Sequence, residues 1–208
     1  IEEPTLSIEV EAAYSLSGLY SGENNQGETM NISSLDASLE LTAKFAPAFL
    51  SQNVGDKWIN IVRKTDAGHA MFLGSNVADA KPTFNKKDYT NTGMLWSFVG
   101  TADNFKIYNY VSGEALALTP SAASIGDGTE VKMVAAADAQ SWHLIEKDGG
   151  YAIAPVGNND WSLNSYGGTD YLGANIKFYG ANDGGSHWNF DLIDVENTLS
   201  MGVYVDQV

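Results

Sequence analysis

Three tryptophans, Trp96, Trp142 and Trp188, stand 46 residues apart and then 46 again. A recurrence at that period restricts a chain to folds built from copies of one unit. The same shift aligns Ile59 with Phe105 and Tyr151, Ile61 with Ile107 and Ile153, and Phe98 with Leu144 and Phe190. The copies therefore run over 51–98, 99–144 and 145–190. Within the second, apolar residues alternate with others in four short beats: Phe105 and Ile107, Leu116 and Leu118, Val131 and Met133, Trp142 and Leu144. Turn-forming stretches separate the beats at Ser112-Gly113, at Gly126-Asp127-Gly128 and at Ala136 to Ala139. About 11 residues per beat is the spacing of short strands in all-β domains. Helical periodicity is weak throughout.

One four-stranded copy cannot bury an apolar face by itself, so three must pack around a shared axis. Twelve strands arranged in this way make an all-β fold, the β-trefoil; a β-propeller has a similar blade but normally uses more than three. Additional strands are expected at both ends. Residues 35–45 alternate apolar and polar without a break, and the same period recurs at Leu6, Ile8 and Val10 and at Leu199, Met201, Val203 and Val205. The expected organisation is an acidic β segment over 1–50, the trefoil over 51–194, and over 195–208 a C-terminal strand or the opening of a following module. The terminal strands are expected to pair into a small sheet on the trefoil. Eight acids and one lysine fall in the first 50 residues, which suits a solvated surface.

Charge and residue usage exclude several functions. With 26 acidic against 11 basic residues the net charge is −15, so neither nucleic acid nor a heparin-like polyanion is an expected partner. The chain has no cysteine, which removes disulfides, thiolate zinc sites and thiol nucleophiles. No apolar run approaches the roughly 20 residues of a bilayer helix, so membrane insertion is not expected. The start, Ile1-Glu2-Glu3-Pro4, has no signal-peptide core, as in a cytosolic protein or one whose leader has been removed. The three histidines, His69, His143 and His187, lack the i, i+4 pairing of a zinc protease, and no Gly-x-Ser-x-Gly elbow is present. Asp127-Gly128 and Asp183-Gly184-Gly185 lack the rest of a calcium loop and read as turns. The expectation is a protein that is not an enzyme and carries no cofactor or metal.

The second copy reads Phe105-Lys-Ile-Tyr-Asn-Tyr-Val-Ser-Gly-Glu-Ala-Leu-Ala-Leu, then Gly126-Asp-Gly-Thr-Glu-Val-Lys-Met, then Gln140-Ser-Trp142. This resembles the ricin-type (R-type lectin) β-trefoil family. The third copy keeps the rhythm in Tyr151-Ala-Ile, Trp161-Ser-Leu163, Ile176-Lys-Phe-Tyr179 and Ser186-His-Trp188, while the first is the most diverged. The resemblance covers residues 51–190. It implies a sugar pocket built from an Asp on the second strand, an aromatic after the third, and an amide near Gln-x-Trp. A pyranose gives hydroxyls to the carboxylate and amide and its C–H face to the ring. In the second copy those positions hold Ala117, Val134 and Ala139, so its pocket is lost. The first has no Asp in Ala70-Met71-Phe72-Leu73.

In the third copy the corresponding positions are Ser162, Tyr179 and Gly185-Ser186, with Trp161, Asn164, Tyr166, Asn182 and Asp183 nearby. A weak carbohydrate site is therefore expected from Trp161, Ser162, Asn164, Tyr166, Tyr179, Asn182 and Asp183, with Tyr179 or Trp161 beneath the ring. Trp161 is expected to be the exposed tryptophan, and the three repeat tryptophans to be core. By resemblance, the chain is a secreted, periplasmic or cell-surface binding module attached to a glycan-processing or surface protein. The alternative is a structural or protein-interaction trefoil that holds adjacent domains and whose sugar pockets have degenerated.

Overall fold

The computed structural model describes residues 14–21, 23–25 and 42–195. They fall into two compact units divided between Ala48 and Phe49, two residues ahead of the expected boundary. In the N-terminal unit, β1 (Tyr14–Ser21) is the central strand of an antiparallel sheet between β2 (Asn24–Asn25) and β3 (Thr42–Pro47). The β1–β3 register slips between Leu16 and Gly18, a bulge that admits one extra residue. Of the strand expected over 35–45, the last four residues lie in β3. The rest of it, the strands expected at 6–10 and 199–205, and any pairing between the chain ends lie outside the described residues.

The second unit opens with the short β4 (Leu50–Ser51), which runs parallel to the last strand of the first repeat. That repeat comprises β5 (Trp58–Arg63), β6 (Asp66–Phe72), β7 (Thr83–Lys86) and β8 (Trp96–Thr101). The second comprises β9 (Asn104–Asn109), β10 (Leu116–Pro120), β11 (Val131–Ala135) and β12 (Trp142–Lys147). The third comprises β13 (Gly150–Pro155), β14 (Trp161–Asn164), β15 (Lys177–Gly180) and β16 (Trp188–Ile193). First and fourth strands pair in a continuous ring, β5–β8–β9–β12–β13–β16 and back to β5. Closure leaves this barrel without an unpaired edge. The middle strands form three antiparallel hairpins, β6–β7, β10–β11 and β14–β15. This is the β-trefoil that the tryptophan spacing predicts.

Alternation along the strands sends one apolar set inward. Ile59, Ile61, Ile107, Ile153 and the three repeat tryptophans have no exposed surface. Phe49 packs against Phe98, Tyr151 and Phe190, drawn from three barrel strands. A buried indole needs an acceptor, and each repeat supplies one at the same place. The Nε1–H of Trp96 donates to the Met71 carbonyl, that of Trp142 to Leu118 and that of Trp188 to Leu163, each at 2.9 Å. The fourth strand of every repeat is thereby locked to the second strand of the same repeat.

A second threefold contact links each repeat to the next. The N–H of Asp79 donates to the Met133 carbonyl, and the Met133 N–H donates to Ala80. Gly128 and Thr129 clasp Phe178 in the same way, and Gly173 and Ala174 clasp Phe84. Met133, Phe178 and Phe84 are all buried on third strands, so each clasp fixes a core side chain. The leading residue of every clasp has a left-handed backbone: φ is +63° at Asp79, +74° at Gly128 and +87° at Gly173. Two repeats meet this demand with glycine, and the first meets it with aspartate, which tolerates the conformation better than most L-residues.

Two outcomes follow for stability. Replacing any one of Trp96, Trp142 or Trp188 by Phe leaves a buried carbonyl unpaired and opens a cavity. Each substitution should cost about 2–4 kcal/mol in urea unfolding, and the three costs should be similar. Asp79→Val, which forces a β-branched residue into the left-handed region, should cost about 1–2 kcal/mol, whereas Asp79→Gly should cost nothing. Equal losses for Val and Gly would show that the backbone demand is not what matters there.

Candidate functional site

The β14–β15 hairpin pairs Trp161 with Gly180, Ser162 with Tyr179, Leu163 with Phe178 and Asn164 with Lys177. Leu163 and Phe178 are buried in the main core. The alternate residues Ser162, Asn164, Lys177 and Tyr179 consequently share the other face of the hairpin. Tyr179 is 41% exposed there. The ring of Tyr166 meets it edge to face, with centroids 6.1 Å apart, and the Lys177 ammonium lies 5.1 Å from the Tyr166 centroid, a cation–π distance. The Tyr166 hydroxyl donates to Asp127 of the second repeat at 3.1 Å. That hydrogen bond pushes the phenol pKa above its ordinary value, so Tyr166 stays neutral and fixed.

Two clefts meet at the loop that follows Tyr166, and Gly167 lines both. The larger, about 600 Å³, is lined by the Tyr166 side chain, Glu130, Asn175, Lys177, Gly173 and Ala174. Glu130 accepts from Lys81 and, at 2.9 Å, from Asn175. These two hydrogen bonds, the lysine's first, hold its carboxyl below the usual glutamate range. The smaller cleft, about 320 Å³, is lined by Arg63, Asn164, Ser165, Gly168, Asp170, Asp183 and Gly185. Asp183 caps the short 3₁₀ turn Gly184–Ser186 by accepting the Gly185 N–H at 2.8 Å. Its Oδ1 also accepts from Asn164 Nδ2 at 3.0 Å, and the same amide donates to Ser186 Oγ at 2.8 Å. A larger residue at 185 would press a Cβ against the Asn164 amide at 3.0 Å.

The structure gathers some of the expected residues and disperses others. Tyr166 lines the larger cleft, Asn164 and Asp183 the smaller, and Tyr179 stands exposed beside Tyr166. Ser162 is fully buried, with its hydroxyl unpartnered; it pairs with Tyr179 in register but offers nothing to a ligand in solution. Trp161 is half-buried and packs on the main core, because Leu163, on its own strand face, draws that face inward. It lines neither cleft, contrary to the expected exposed platform. Asn182 is exposed but accepts from the Lys147 ammonium at 2.7 Å and also lines neither cleft.

Glu130, Asn175, Lys177, Arg63 and Asp170 were not singled out in the sequence. They come from three different repeats, and their one sequence signal is that Arg63 is the chain's single arginine. Among the described residues, no group of three or more His, Asp or Glu is placed to hold a metal ion. No helix among them is long and apolar enough to cross a membrane.

Residues 92–179 match a family described as ricin-type beta-trefoil lectin domain-like. Comparison with curated proteins finds no match. Among solved structures, the fold is similar to part of a mosquitocidal holotoxin, with a TM-score of 0.58 and 15% identity over 71% of this chain and 18% of the toxin. This chain thus spans less than a fifth of that protein. It is also similar to a designed threefold-symmetric protein, ThreeFoil, at 0.55 and 22% over 66% of this chain and 98% of the other. A ricin B-like lectin of Macrolepiota procera, solved in complex with lactose, gives 0.54 and 19% over 68% and 98%. At these identities the likeness is one of fold. With the closed ring and the three buried tryptophans, the repeat body of this chain is a β-trefoil, and its residues 92–179 are similar to the ricin-type, lectin-like family.

Proposed function

We propose that this trefoil is a non-catalytic carbohydrate-binding module, accessory to a larger glycan-processing or surface protein, with its site on the third repeat. The observation that carries this reading is the open cleft in which the Tyr166 ring, the Glu130 carboxylate, the Asn175 amide and the Lys177 ammonium surround one space, with exposed Tyr179 alongside. A sugar ring requires that combination: an aromatic wall for its C–H face, an acceptor for hydroxyl protons, and donors for hydroxyl oxygens. Tyr166 is held by Asp127 and by its contact with Tyr179, so the platform is ordered before a ligand arrives. Asn164 and Asp183 extend the polar surface on the far side of Gly167.

Titration calorimetry with galactose, N-acetylgalactosamine and lactose should show weak binding. Tyr166→Ala and Tyr179→Ala should each lower the affinity about tenfold, which is what losing an aromatic platform costs. Absence of binding, or binding indifferent to both substitutions, would favour the scaffold role.

Binding should also respond to acid in a defined direction. Glu130 is held below its ordinary value of 4.5 in the folded chain, so it is ionised, and accepts hydroxyl protons, at every pH above that. Affinity should be level above the ordinary glutamate value of 4.5 and fall as the pH drops through the lowered one. The stability that the Lys81 pair contributes falls in the same window, because the folded carboxyl takes its proton later than the unfolded one. Glu130→Gln should remove the acid limb of the binding curve.

A further inference from the structure

Arg63 is the single arginine in a chain of net charge −15. It ends β5 in the first repeat, yet its guanidinium lies against the loop of the third. A Cβ built at Gly168 would stand 2.7 Å from its Nη1. Gly167 and Gly168 have φ of +85° and +63°, a succession that glycine adopts readily and that lets the backbone pass close to the guanidinium. The Nε of Arg63 is buried and has no hydrogen-bond partner. No ion pair reaches the guanidinium among the described residues. Arg63 also contributes to the low carboxyl of Asp66, though His69 is the chief cause and Arg63 the last.

Arg63 is half-buried and lines the smaller cleft, and a planar fork of N–H groups matches a carboxylate by two parallel hydrogen bonds. Among the described residues, no apolar side chain lines the cleft. Of the two carboxylates there, Asp183 is already engaged by Asn164 and the Gly185 N–H. Asp170 forms no hydrogen bond among the described residues and is free to accept a hydroxyl. A phosphate or sulfated polyanion would face both aspartates and the charge of the whole chain, whereas a single carboxylate flanked by hydroxyls satisfies each group in turn. We propose that this cleft is a subsite for an acidic sugar, a uronic acid whose carboxylate is bound by Arg63 and whose hydroxyl donates to Asp170. The inference rests on the carbohydrate reading and names the class of sugar.

The test is calorimetric titration of the full chain with methyl galacturonide and methyl glucuronide beside their neutral parents, methyl galactoside and methyl glucoside, at one ionic strength. The uronides should bind about tenfold more tightly than the neutral glycosides. Arg63→Gln should erase that preference, and Arg63→Lys, which keeps the charge but loses the fork, should keep only part of it. Melting temperatures taken on the same samples separate a lost subsite from a lost fold. Equal affinity for acid and neutral sugars in the wild type, or a preference that survives Arg63→Gln, overturns the subsite and leaves the trefoil a binder of neutral sugar. Failure of all four glycosides to bind overturns the carbohydrate reading and this subsite with it.

Discussion

Each repeat of this trefoil is set by one hydrogen bond, from a buried indole N–H on the fourth strand to a carbonyl on the second. An unpaired indole in an apolar core is expensive, and so is an unpaired carbonyl, so the two strands cannot slide without losing both. Fixing the second strand relative to the barrel fixes the hairpin it begins. In the third repeat that hairpin carries Asn164, Lys177 and Tyr179 on its outer face. The placement of the surface chemistry is therefore a consequence of how Trp188 is satisfied.

The clasps between repeats explain why the surface is composite. The loop that opens the third strand of one repeat is bonded through its backbone to the third strand of another. This brings Gly128, and with it Asp127 and Glu130, beside β15 and Tyr166. The larger cleft consequently draws its carboxylate from the second repeat and its ring, amide and ammonium from the third. The smaller cleft draws its guanidinium from the first repeat, because β16 pairs with β5 and brings the end of β5 to the third repeat's loop. The left-handed Asp79 belongs to the same device. It stands where the other repeats place glycine, and its strain is explained by topology rather than by a ligand.

The repeat had diverged enough to make residue-by-residue inheritance unreliable. Ser162 stands where the family has its carboxylate, but its side chain is buried beneath a surface that it does not help to form. Trp161 precedes it by one residue and shares a strand face with Leu163, which ties it to the core despite its polar neighbours in Asn158-Asn159-Asp160. Tyr166 and Asp183, which line the clefts, lie in the loops next to the hairpin, where sequence neighbourhood and spatial neighbourhood coincide.

Period and alternation were enough to specify the strands, the three copies and the inward-facing set, because a hydrophobic pattern acts locally and every copy states it again. They also marked the three tryptophans as core. Which polar side chains converge was not written in any one stretch. Glu130 and Tyr166 are 36 positions apart, and Arg63 and Asp170 are 107 apart. Ring closure and the backbone clasps bring them together, and those contacts depend on the packing of strands far apart along the chain. A local pattern can announce that a loop is polar, but only the folded arrangement selects its partners across the groove.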